Sequence, residues 1–316
     1  MNIVFLDTGT VGADIDASIY SKLGTLTTYD ATPQSEAADR VKDANVIITN
    51  KVKLYADVLS AAKDLQLVCI TATGYDNVDL DYAKKNGIAV CNVKDYSTDS
   101  VAQITVATVL SLINHLGFYD GYCKSGKYTE SGVHNRLEPV FHELAGKTWG
   151  IYGYGNIGKK VAKVAEAFGC KILATKRTPE EGVECVTLSE LFERSDIITV
   201  HTPLNDETRH SINADILAKA KKSLVLVNAA RGAVTDEKAV ADAVKNGVIG
   251  AFGTDVYSVE PMQYDNPIWE LRNCENVLLT PHMAWGAYEA RVRLVDEVYA
   301  NIETFYGGKI RNRVDL

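Results

Sequence analysis

The stretch Trp149-Gly150-Ile151-Tyr152-Gly153-Tyr154-Gly155-Asn156-Ile157-Gly158, continued by Lys159-Lys160-Val161-Ala162-Lys163-Val164-Ala165-Glu166-Ala167-Phe168-Gly169, decides how this chain is read. It begins β-branched and aromatic, passes through a glycine turn, and then places apolar residues at Val161, Val164, Ala165 and Phe168 with helical spacing. Strand, turn and helix in that order are the context in which G-x-G-x-x-G cradles a dinucleotide. Gly153 permits the tight turn, Gly155 lets a pyrophosphate approach the backbone, and Gly158 lets helix and strand pack closely. Tyr154, Asn156 and Ile157 lie between them, and the phosphates face free N–H groups at the helix start. The same letters in a loop would carry little weight. The turn also begins near the middle of the chain, so something folds ahead of it.

The 316 residues exceed the usual size of one domain, and a 46% hydrophobic content is ample for two cores. A net charge of -8 argues against a nucleic-acid surface and for small-molecule chemistry. The start, Met1-Asn2-Ile3-Val4-Phe5-Leu6-Asp7, reads as a first strand rather than a signal peptide, and no apolar run approaches membrane-spanning length. A cytoplasmic protein without membrane contact is expected. Six scattered cysteines show neither zinc nor redox spacing, so no metal is expected and the thiols are read as buried and reduced.

Strand-like runs recur at Ile3 to Leu6, Thr25 to Tyr29, Val46 to Thr49, Leu67 to Thr71 and Ile88 to Cys91, with helical patterns between them. That alternation predicts a small α/β domain with parallel strands. The N-capping cluster Tyr96 to Ser100 opens a long apolar helix ending at Ile113, read as the joining helix. From residue 145 onward strands and helices alternate again, predicting a doubly wound sheet of six strands or slightly more. The final helix, Tyr288 to Phe305, is expected to return to the first domain. The fold class is therefore α/β: a Rossmann domain at 98–284 inserted into a smaller flavodoxin-like substrate domain formed by 1–97 and 285–316.

In NAD-specific fingerprints a carboxylate about 20 residues past the glycines binds the ribose 2′-hydroxyl. Here that strand ends in Thr175-Lys176-Arg177-Thr178, two cations and a hydroxyl. Such groups form charge-assisted bonds to a 2′-phosphate, so NADP(H) is expected to be preferred, with NAD(H) possible. A solvated basic strand end is the competing reading.

Three later stretches place a polar residue directly after an apolar strand: Val225-Leu226-Val227-Asn228-Ala229-Ala230-Arg231-Gly232, Gly253-Thr254-Asp255-Val256-Tyr257-Ser258-Val259-Glu260-Pro261 and Val277-Leu278-Leu279-Thr280-Pro281-His282-Met283-Ala284-Trp285. All should open at one edge of one parallel sheet. Reduction of a 2-oxo acid needs an anchor for the carboxylate, an acid for the ketone oxygen and a group that keeps the acid protonated. Arg231 suits the first, as a bidentate fork. His282 suits the second, since an imidazole titrates near neutral pH. Glu260 suits the third, since a nearby carboxylate favours an imidazolium. Alone, each has a bland reading as a salt-bridge partner, a loop residue or a capped strand end. Their order behind the fingerprint makes the catalytic reading the better one.

With these motifs in place the sequence resembles the D-isomer-specific 2-hydroxyacid dehydrogenases over nearly its whole length. The resemblance implies a substrate arginine at Arg231, an acid/base at His282, its partner at Glu260, and a nicotinamide carboxamide contact at Asp255. Pro203, in His201-Thr202-Pro203, looks like part of the adenine pocket, Thr105 on the joining helix resembles a phosphate contact, and Asn228 and Ala229 join the cofactor-binding set. The turn Thr73-Gly74-Tyr75 resembles one that supplies backbone donors to the substrate carboxylate. The family's usual aspartate at position 176 is a lysine here, which puts the common NAD preference in question.

Ile48-Thr49-Asn50-Lys51, the turn at Ala72 to Gly74 and His282-x-Ala-Trp285 are most similar to the glycerate dehydrogenase and hydroxypyruvate or glyoxylate reductase branch, with Trp285 walling the substrate pocket or packing the domain junction. A small 2-oxo or 2-hydroxy acid is the expected substrate. Alternatives are a bulkier branched or aromatic 2-oxo acid and a nucleotide-sensing, corepressor-like binding protein, though the chain has no basic patch or tail for recruitment. The joining helix and the segment Phe118 to Phe141 suggest a homodimer interface, as does the resemblance.

Overall fold

The computed structural model describes residues 1–316. In chain order its elements are β1 (Asn2–Phe5), β2 (Thr25–Thr28), α1 (Gln34–Arg40), β3 (Val46–Thr49), α2 (Ala56–Leu59), β4 (Leu67–Ile70), α3 (Leu80–Lys85) and β5 (Ala89–Cys91). There follow α4 (Thr98–Ile113), α5 (Leu116–Lys124), α6 (Lys127–Ser131), β6 (Thr148–Tyr152), α7 (Asn156–Ala167), β7 (Lys171–Thr175), β8 (Glu184–Cys185) and α8 (Leu188–Arg194). The remainder are β9 (Ile197–Val200), α9 (Ala214–Leu217), β10 (Val225–Asn228), α10 (Glu237–Lys245), β11 (Ala251–Thr254), β12 (Val277–Leu279) and α11 (Tyr288–Tyr306). They form two compact units, residues 1–97 with 286–316, and residues 98–285.

The first unit holds a five-stranded parallel sheet in the order β2-β1-β3-β4-β5, which is the flavodoxin order. Every residue of β3, β4 and β5 is buried, as expected of parallel strands covered on both faces. The last helix, α11, belongs to this unit and packs on β4. Its Asn301 amide donates to the Asn92 carbonyl at 3.0 Å, and Arg293 donates twice to the Tyr96 carbonyl. At the carboxyl edge of the sheet, the buried carboxylate of Asp7 accepts the amides of Asn50, Lys51 and Val52 and the Thr49 hydroxyl. Burial still pushes its pKa up, against the pull of those donors.

The second unit is built on a seven-stranded parallel sheet in the order β12-β11-β10-β9-β6-β7-β8. Read from β8, this is the doubly wound 3-2-1-4-5-6 order extended by one strand. The two-residue β8 is the one strand that sequence patterning did not anticipate, because Glu184-Cys185 is too short to show alternation. Elsewhere alternation divides the core. Leu226, Ile198 and Phe252 face a cluster covered by α8, α9 and α10, while Val225, Val227 and Ile197 face one covered by α4 and α7. Trp149 is fully buried in the latter, its indole N–H satisfied by the Thr199 hydroxyl at 3.1 Å.

Two helices are short: Ala56–Leu59 and Ala214–Leu217 each span four residues, the second capped by the Asn213 side chain. The thiol reading needs a correction. Cys69, Cys91 and Cys170 are buried, Cys185 and Cys274 are half-buried, and Cys123 is exposed on α5, a helix with no buried residue. No single helix is long and apolar enough to cross a membrane.

Candidate active site

Neighbouring strands β10, β11 and β12 run parallel, so the residues that follow them emerge at one edge of the sheet. After β10, Asn228 is buried. Its side-chain oxygen accepts the Ala230 amide at 3.0 Å and its amide donates to the Arg231 carbonyl at 2.9 Å. This Asx turn sets the direction in which Arg231 leaves the sheet. The half-buried Arg231 guanidinium donates to the Ala230 carbonyl at 2.7 Å and pairs with no carboxylate of the chain, which removes the salt-bridge reading.

After β11 comes Asp255, buried, whose carboxylate holds the turn after β12. One oxygen accepts the Thr280 hydroxyl at 2.6 Å and the Met283 amide at 2.8 Å, and the other accepts the Ala284 amide at 2.8 Å. Within that turn His282 has φ of 53°, a left-handed conformation uncommon for a residue with a side chain. Charge-assisted bonds from a fixed carboxylate are what hold such a backbone. Asp255 therefore positions His282, and its expected contact to a nicotinamide carboxamide stands as a proposal.

His282 and Glu260 meet directly, Nδ1 to Oε2 at 2.6 Å, each side chain a little over a quarter exposed. The other Glu260 oxygen accepts the Tyr257 amide at 3.1 Å, and the Tyr257 hydroxyl donates to the Thr280 carbonyl at 3.1 Å. Burial pushes the Tyr257 phenol up to about 12, so it remains a donor. Glu237, at the start of α10, accepts the Ser258 amide at 2.8 Å and the Asn266 side-chain amide at 2.9 Å. A Cβ on Gly232 would lie 2.0 Å from the Tyr257 carbonyl carbon, so the Arg231 and Glu260 loops touch there.

The residues present fit a dinucleotide. Gly153 has φ of 100°, and a Cβ there would lie 2.5 Å from the Thr202 amide nitrogen. A Cβ on Gly158 would lie 2.3 Å from the Gly153 carbonyl oxygen, while Gly155 faces open space. The twelve-residue α7, N-capped by Gly155, starts without a side-chain cap, so the positive end of its dipole faces the turn where an anion would sit. On α4, which packs against α7, the Thr105 hydroxyl is buried with no partner. Tyr154 and Ile157 are half-buried and Asn156 exposed around the turn, as are half-buried Ala229 and exposed Pro203 beyond β10 and β9. His201 is partly exposed as a residue, yet both ring nitrogens are buried and unpartnered, so its imidazole offers a cofactor no hydrogen bond in this conformation. Desolvation lowers its pKa to about 3.

At the end of β7, Lys176 is engaged by Glu180, which also binds Lys159 at 2.6 Å. Arg177 is exposed and makes no ion pair. In the first unit, Thr73 donates to the Val93 carbonyl at 2.8 Å and accepts the Asn92 side-chain amide on its carbonyl at 2.7 Å; Gly74 is half-buried and Tyr75 exposed. Trp285 is half-buried at the end of the second unit. Two residues, Glu180 and Glu237, and one role, that of Asp255 in its turn, are not singled out by the sequence. Glu180 stands four positions after Lys176, which was signal enough, while Glu237 and the turn-holding role of Asp255 become visible only when distant segments meet.

Residues 106–284 match the family described as D-isomer specific 2-hydroxyacid dehydrogenase, NAD binding domain. The chain is 36% identical to a hydroxypyruvate reductase of Blautia hydrogenotrophica, covering 100% of both proteins. Among solved structures it resembles D-lactate dehydrogenase from Aquifex aeolicus in complex with NAD and lactic acid, with 30% identity, a TM-score of 0.87, and 100% and 99% of the two chains covered. It also resembles the NADPH-dependent glyoxylate/hydroxypyruvate reductase from Sinorhizobium meliloti in complex with citrate, with 28% identity, a TM-score of 0.86, and 99% and 97% covered. With the glycine turn, the sheet order and the paired His282 and Glu260 in agreement, the chain belongs to the D-isomer-specific 2-hydroxyacid dehydrogenase family.

Proposed function

We propose that this dehydrogenase interconverts a small 2-oxo acid and its D-2-hydroxy acid, with hydroxypyruvate and glyoxylate as the substrates to try first. The observation that carries the reading is the 2.6 Å pair of His282 and Glu260 at the same sheet edge as an arginine without an ionic partner. A bound nicotinamide supplies or takes the hydride. Arg231 offers its fork to the substrate carboxylate, and a carboxylate is the natural partner of an unpaired guanidinium. Glu260 occupies Nδ1 of His282, which leaves Nε2 to give a proton to the ketone oxygen in reduction and to accept it in oxidation. The negative charge of Glu260 stabilises the imidazolium form that reduction requires. Thr73, Gly74 and Tyr75 are proposed to bind the substrate carboxylate, and Trp285 to limit substrate size.

We further propose that NADP(H) is preferred, because β7 is followed directly by Lys176 and Arg177, at the place where a carboxylate would repel a 2′-phosphate. A homodimer is proposed on the apolar surface of the segment after α4, where Leu137 is 69% and Val140 65% exposed.

The test is turnover of hydroxypyruvate, glyoxylate and 2-oxoisocaproate with NADH and with NADPH, with the product's configuration determined. D-products from the two small acids support the reading. A dinucleotide that binds while no acid is turned over defeats it, and an NADH preference or equal efficiency with the two coenzymes defeats the NADP(H) proposal. Light scattering on the purified protein decides the dimer.

A further inference from the structure

The strand end that reads the 2′ position carries cations from its own sequence and a carboxylate brought to it by the following loop. Glu180 binds Lys176 with one oxygen and Lys159, on α7, with the other at 2.6 Å, and the two pairings hold its carboxyl below the usual range. Lys159 also lies 5.9 Å from the centroid of the Tyr154 ring, so the bridge spans from the glycine turn to the end of β7. All three charged side chains are about a third or more exposed, so a ligand can reach them.

We propose that Glu180 is the residue that sets coenzyme discrimination in this chain. Resting on the NADP(H) reading above, the inference gives Glu180 a role opposed to that of Lys176 and Arg177. Lys176 cannot offer its ammonium fully to a 2′-phosphate while a carboxylate holds it, and a phosphate arriving there meets the like charge of Glu180. The same carboxylate is the kind of acceptor that a ribose 2′-hydroxyl takes in NAD-binding fingerprints, supplied from the loop where the strand itself lacks it. Glu180 thus weakens the preference for the phosphorylated coenzyme and keeps NADH usable. Exposed ion pairs of this type contribute little to folding, so replacing Glu180 leaves a folded protein in which the effect is read on the ligand.

The test is calorimetric titration of the full chain with adenosine 2′,5′-bisphosphate and adenosine 5′-monophosphate, which report the 2′ position without turnover. Glu180→Gln is expected to tighten the bisphosphate about tenfold and to leave the monophosphate unchanged or weaker. Unchanged bisphosphate affinity in Glu180→Gln, with unaltered circular dichroism, overturns the role of Glu180. The double variant Lys176→Ala with Arg177→Ala separates this from the underlying reading. Loss of bisphosphate affinity there supports the cationic site, and wild-type affinity there defeats the NADP(H) reading itself, whatever Glu180→Gln does.

Discussion

Nδ1 of His282 lies 2.6 Å from one oxygen of Glu260, and the other oxygen of that carboxylate accepts the Tyr257 amide, so the imidazole is held by a group that is itself held. His282→Ala is expected to lower turnover by roughly 100-fold or more while leaving dinucleotide affinity nearly intact, measured by steady-state kinetics and by quenching titration. Glu260→Gln keeps a side chain of the same shape without its charge. Turnover should fall, because the imidazole loses the charged acceptor that holds it through Nδ1. Unchanged turnover would remove Glu260 from that role.

Arg231 has no carboxylate partner in the chain, so its guanidinium is available to a substrate. Arg231→Lys keeps the charge and loses the fork. We expect kcat/KM for hydroxypyruvate to fall about 100-fold, with a raised KM. A variant within a factor of two of the parent would place carboxylate binding elsewhere.

Asp255 accepts three hydrogen bonds from the turn that carries His282 at φ of 53°. Asp255→Ala leaves those donors unpaired in a buried setting, and a cost of about 2–4 kcal/mol is expected in urea unfolding. Turnover should fall more steeply than the lost stability explains, because the turn aims the imidazole. Equal losses in a remote buried cap would argue that Asp255 is only a brace.

His201 is held neutral by burial, with a pKa of about 3 against 6.5 for an ordinary imidazole. The folded pKa lies below the unfolded one, so the unfolded chain binds the extra proton at intermediate pH. Its contribution is complete above pH 6.5 and is lost as pH falls toward 3. Between pH 6.5 and 4.5 that loss amounts to about 2–3 kcal/mol. The urea midpoint of the parent should fall relative to that of His201→Leu as pH drops across this range, and parallel curves would show that His201 does not titrate.

The sheet, the turn and the meeting of His282 with Glu260 are legible because the segments that form them are written locally. Strand runs such as Val225 to Asn228 announce themselves by apolar composition, and Gly153, Gly155 and Gly158 by their spacing between a strand and a helix. The shared strand edge followed from topology, since parallel neighbours expose their carboxyl ends together. What stayed hidden depends on contacts between distant segments. The hold of the Asp255 carboxylate on residues 280–284 and the burial of the His201 ring nitrogens are such contacts, and neither is written in the residues next to them. At the basic strand end the sequence carries a signal of its own, the carboxylate of Glu180 four positions after Lys176, while its second partner Lys159 comes from α7 and is visible only in the fold.

Arg231, Asp255 and His282 hang from three adjacent parallel strands, so their lateral separation is ruled by the strand pitch of roughly 4.8 Å rather than by the length of chain between them. The connections that enter those strands, at residues 221–224, 246–250 and 273–276, lie at the opposite edge. Length and geometry are decoupled: a tag, an inserted domain or relocated termini at the exposed positions of those loops, such as 222–223, 246–247 and 273, can enlarge the protein without shifting His282 against Arg231.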